Sequence, residues 1–74
     1  MSLNNKEKAI VLAVRTIPAP FTAAEAAAAY NEANGGTDYT ADSIAGPLSN
    51  IVKEGFANPA QFSLTELGQT ADLS

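Results

Sequence analysis

Ser49, Asn50 and Lys53 are the residues of this chain whose types and spacing suit recognition chemistry. The serine hydroxyl and the asparagine amide can hydrogen-bond base edges, the amide suiting adenine, and the lysine can meet a phosphate or a guanine. Projected at about 100° per residue, residues 41–54 put Asp42, Gly46, Ser49, Asn50 and Lys53 opposite an apolar stripe. Gly46 would allow close approach of a backbone. Thr40 and Ser43, at the start of the same segment, join this candidate DNA-facing set. Thr22, opening the segment before it, could present backbone N–H groups to a phosphate. Any helix exposes some polar residues, and Ser, Asn and Lys are common ones. On this face alone, an ordinary solvated surface is the commoner explanation.

Catalysis is poorly supplied. The chain has no His and no Cys, so nothing stands ready as a base or nucleophile near neutral pH. Ser43 and Ser49 lack an activating partner. Asp38 and Asp42 are four apart, but one precedes a helix cap and the other lies inside the helix. They suit the helix dipole better than a metal ion. "GGT" lacks the rest of a phosphate-binding loop. The expectation is no enzyme, no cofactor and no metal.

The elements that position these residues follow from size and periodicity. The 74 residues are read as one domain, 1–74, near the lower edge of independent stability. No disulfide and no Cys–His zinc site can support it, so stability must come from helix packing or a partner subunit. The longest apolar run, "AIVLAV", is far short of a membrane span, and the N-terminus lacks the layout of a signal peptide. A cytoplasmic protein without membrane contact is expected. The formal net charge of −4 discourages non-specific contact with nucleic acid or anionic lipid.

A first helix is expected over 5–17, capped by Asn4 or Asn5, with Ile10, Ala13, Val14 and Ile17 as its inner stripe. Pro18-Ala19-Pro20 stops it. Leu12 points away, toward Lys8 and Arg15, and Val11 sits between the faces. Two readings stay open: a helix covered on two sides by its own domain, or a homodimer interface through Val11, Leu12 and Arg15. A second helix over 22–34 opens with the Thr22/Glu25 capping box and closes at Gly35 or Gly36. Its face of Ala23, Ala26, Ala27, Tyr30 and Ala33 suits close helix–helix approach. A third helix over 40–54 is capped by Thr40, stapled by Tyr39 and Ile44, and buries Ile44, Leu48, Ile51 and Val52. Pro47 either bends it or separates "ADSIAG" from a shorter helix. The first option is preferred because it keeps Ile44 in register. Two short strands about Asn58-Pro59-Ala60 form a hairpin over 56–64, with Phe62 and Leu64 on one face. A short helix over 65–71, capped by Thr65, ends the order.

Three helices followed by a small hairpin resemble a winged helix-turn-helix domain. "SIAGPLSNIVKEGFA" is similar to the recognition-helix-to-wing segment of transcriptional regulators of the MarR and PadR type, and "FSLTELG" to the end of their second wing strand. A proline inside that helix is also familiar in PadR-like sequences. The resemblance covers roughly residues 21–68. It implies a mainly α (α+β) fold: three helices, a two-stranded β-hairpin wing and a short C-terminal helix. It also implies a major-groove helix over 40–54. The sequence departs from the pattern in a wing without Lys or Arg, in the long connection "NGGTDY", and in having no counterpart of the long helices by which MarR-type proteins dimerise.

Two functions follow. The first is a small DNA-binding transcriptional regulator, dimeric through its first helix to gain useful affinity. The second is an acidic winged-helix module that binds a partner protein. The fold resemblance favours the first. The scarcity of phosphate-contacting residues, Lys6, Lys8, Arg15 and Lys53 being all there are, favours the second.

Overall fold

Asn4 begins the first helix by accepting the Glu7 N–H at 2.7 Å while the Glu7 carboxylate accepts the Asn4 N–H at 3.0 Å. The computed structural model describes residues 3–59 and 62–73. Its helices are α1 (Asn5–Val14), α2 (Ala23–Asn34), α3 (Ala41–Lys53) and α4 (Glu66–Thr70). The chain is therefore mainly helical, in the order expected.

α1 stops three residues short of the expected end. Pro18 bars Ile17 from helical angles, and the last turn tightens: Thr16 and Ile17 donate their N–H groups to the carbonyls of Ala13 and Val14. α2 and α3 end on left-handed glycines, Gly35 and Gly55. After α3, Phe56 N–H reaches Ile51 O and Gly55 N–H reaches Val52 O. This paired closure satisfies the last carbonyls and turns Phe56 into the core. α3 runs unbroken through Pro47. Ile44, Leu48 and Ile51 stay in register on its buried face.

The core joins Ile10, Val11, Ala13 and Val14 of α1 to Ala26, Ala27 and Tyr30 of α2 and to the α3 stripe, with Phe21, Phe56 and Ala57 filling from the connections. Ala26 is fully buried, so α2 contributes proximity more than apolar area. Four members of the expected stripes differ: Ala33 is exposed, and Ile17, Ala23 and Val52 are only partly buried against the core.

The expected wing over 56–64 does not form as a ladder. Among the described residues no strand is present, and pairing is reduced to two isolated antiparallel bridges, Ala57 with Leu64 and Phe21 with Phe62. Asn58 N–H donates to Ser63 O and Thr65 N–H to Phe56 O, which holds the two arms together. Pro59 has no N–H to extend the pairing. Ala60, part of the expected turn, lies outside the described residues. Phe21 N–H donates to Phe62 O, and the two rings stack with centroids 6.0 Å apart.

Candidate nucleic-acid interface

The α3 stripe of Ile44, Leu48 and Ile51 anchors the helix in the core. That leaves Asp42, Ala45, Gly46, Ser49 and Lys53 exposed in a continuous row on the other side. Between Asp42 and Lys53 this row carries only short side chains. An opposing surface can approach the backbone closely there. Few side-chain atoms can reach far into it.

The connection before α3 is held from α2. The Asn31 side-chain amide donates to Tyr39 O at 2.7 Å, and its oxygen accepts the Tyr39 N–H at 3.1 Å. One side chain thus pins both backbone groups of the residue that precedes the Thr40 cap. The Tyr39 ring meets Tyr30 edge to face, with centroids 4.9 Å apart. The Lys6 ammonium lies 5.7 Å from the centre of the same ring, a cation–π contact. Lys6 therefore joins the surroundings of the α3 start from a distant part of the chain.

Of the expected DNA-facing residues, Gly46, Ser49 and Lys53 stand on the exposed row. Asn50 does not. Its amide donates to Glu7 Oε1 at 3.0 Å, turning this side chain back toward α1. Thr22, Thr40 and Ser43 are engaged in caps. Thr22 N–H donates to Glu25 Oε1 at 2.8 Å, so a carboxylate of its own chain already takes this N–H group. Thr40 N–H donates to Ser43 Oγ, and Thr40 Oγ1 accepts from Ser43 N–H, a second reciprocal cap.

The expected dimer set also divides. Val11 is fully buried in the core of its own chain and has no side-chain surface to give a partner. Arg15 donates through Nε to Gly68 O at 2.9 Å and through a terminal nitrogen to Ala71 O at 2.8 Å. It thereby secures the C-terminal end of α4, where a cation is electrostatically favoured. Leu12 alone of the three is exposed.

Sequence reasoning gave Glu7 only a place at the positive end of the first helix's dipole, and it passed over Asn31 and the packing at Gly68. The signal for Glu7 was its place three residues after Asn4, the spacing of a reciprocal cap. Nothing local marks Asn31 as a loop clamp. Gly68 stands against the chain at Phe56: a Cβ there would overlap Phe56 O and lie 3.0 Å from its carbonyl carbon.

Among the described residues no group of His, Cys, Asp or Glu could hold a metal ion. No helix among them is long and apolar enough to cross a membrane. No known protein family, curated protein or solved structure matches the chain.

Proposed function

We propose that this chain is a small winged-helix DNA-binding protein, a transcriptional regulator that lays α3 in the major groove. The observation that carries the reading is the exposed row Asp42, Ala45, Gly46, Ser49 and Lys53 on a helix whose opposite face is locked in the core. A helix so held can enter a groove as a rigid body, and the small residues let its backbone come close to the base edges. Ser49 is the side chain placed to read a base, and Lys53 the one placed to meet a phosphate or a guanine. The antiparallel Ala57–Leu64 bridge, at the root of the segment after α3, supports the winged-helix part of the reading.

A second reading is an acidic module that docks on a protein. A specific observation favours it: Arg15 is engaged by α4 and Asn50 by Glu7. Lys53 then stands as the one cation of the α3 row, facing a polyanion alongside Asp42.

Fluorescence anisotropy of a labelled random duplex, titrated with protein at low and then physiological salt, separates the two. Under the DNA reading, binding appears at low salt. It weakens with a log–log slope of roughly 2, as for contacts from Lys53 and Lys6 to two phosphates. Lys53→Glu abolishes it. No binding at low salt would end the reading for generic duplex and give precedence to the protein-docking one.

A further inference from the structure

The exposed large apolar side chains among the described residues are Leu12 and Leu67, at 38% and 40% accessible. They are distant in sequence but border one surface. Lys8, Leu12 and Arg15 follow one another on a single face of α1. Lys8 shares a groove with Leu67 and Ala71. Arg15, at the other end of the row, donates to Gly68 O and Ala71 O. Leu12 thus stands between two residues that both reach α4. Leu3, Asp72 and Leu73 complete the groove wall.

We propose that this α1–α4 surface is the contact between two copies of the chain. They would be related by a twofold axis, with Leu12 and Leu67 of one copy packed on the same pair of the other. Charge selects the occupant. The chain carries 8 acidic against 4 basic residues, so two copies repel over most of their surface. The repulsion is weakest where cations and carboxylates balance. Lys8 lies in the groove and Arg15 on the α4 carbonyls beside it, with the exposed Glu66 next to Leu67 in sequence. A twofold contact sets a patch against itself. An apolar centre flanked by both signs of charge is self-complementary, because Lys8 of each copy can face the exposed Glu66 of the other. The exposed face of α2, with Glu25 and Glu32, offers no such balance. This proposal does not depend on DNA binding.

The test is sedimentation equilibrium of the full chain without DNA, from micromolar to millimolar concentration. The proteins compared are wild type, Leu12→Glu, Leu67→Glu and the α2 control Ala28→Glu. Wild type and control form a concentration-dependent dimer. Each leucine variant raises its dissociation constant by about tenfold or more, equal to about 1.4 kcal/mol. A wild type that stays monomeric throughout, or a dimer that both leucine variants retain, overturns the proposal. Should a variant fail to fold, dilution of isotope-labelled wild type gives the same answer by amide chemical shifts. Shifts concentrated in residues 8–15 and 66–71 support the interface, and shifts elsewhere or none overturn it.

Discussion

Asn50 of α3 donates its side-chain amide to the Glu7 carboxylate of α1 at 3.0 Å, across 43 positions of sequence. The same carboxylate oxygen accepts the Asn4 N–H that starts α1. One nearly buried acid therefore closes a helix cap and ties that cap to the third helix. A residue that a helical projection assigns to the outer, DNA-facing surface is thereby an internal brace.

Asn50→Ala removes a donor from a charged acceptor. Stability in urea, followed by circular dichroism, falls by about 1–2 kcal/mol, partial exposure keeping the loss toward the low end. Asn50→Asp falls further, because it sets a second carboxylate against the first. If Asn50 is a brace, duplex affinity per folded molecule stays within about twofold of wild type. A selective loss of affinity with full stability would restore it to the DNA-facing surface.

Arg15 holds α4 by two charge-assisted hydrogen bonds to Gly68 O and Ala71 O. Arg15→Met leaves both carbonyls without this partner. Amide hydrogen exchange at Gln69 and Ala71, whose N–H groups close α4 onto Thr65 O and Leu67 O, accelerates roughly 30-fold, corresponding to about 2 kcal/mol of local stability. Arg15→Lys recovers little, since an ammonium lacks the fork that serves two acceptors at once. Unchanged exchange in Arg15→Met would mean that α4 stands without the arginine.

The glycines of α3 and α4 answer the same substitution with different magnitudes. At Gly68 a Cβ would overlap Phe56 O and come within 3.1 Å of Leu64 Cδ2. Gly68→Ala costs about 1–3 kcal/mol, and melting falls by roughly 4–8 °C for each kcal/mol in a chain of this size. At Gly46 a Cβ meets nothing within 4 Å beyond its chain neighbours and its own helix backbone. Gly46 precedes Pro47, whose ring crowds a Cβ on a residue held at helical angles. This offsets the helix-propensity gain of about 0.5–1 kcal/mol, so Gly46→Ala moves stability little. Thermal denaturation of the pair checks both. Equal shifts of the same sign would contradict the packing at Phe56.

Much of the fold was legible because it rests on local rules. The Thr22/Glu25 box, the Thr40 cap, the closing glycines and the Ile44–Leu48–Ile51 stripe need only a few consecutive residues to act. The wing was not legible in the same way. The short segments around Pro59 lack the length to sustain a ladder, and their pairing depends on what else is close. The bridge from Phe21 to Phe62 joins the approach to α2 with the chain beyond α3, and no sequence period announces it.

The sequence by itself determined where the helices start, where α2 and α3 stop, and the inner stripe of α3, since capping and periodicity act within a turn or two of chain. It also determined the acidic charge and the absence of His and Cys. Only the tertiary structure decided which polar side chains remain available. Asn50 and Arg15 look free in any projection, yet Glu7 claims one and the α4 carbonyls claim the other. Val11 looks peripheral and is fully buried. The physical reason is that availability depends on a partner brought close by folding, often dozens of residues away, and a helix projection contains no such partner.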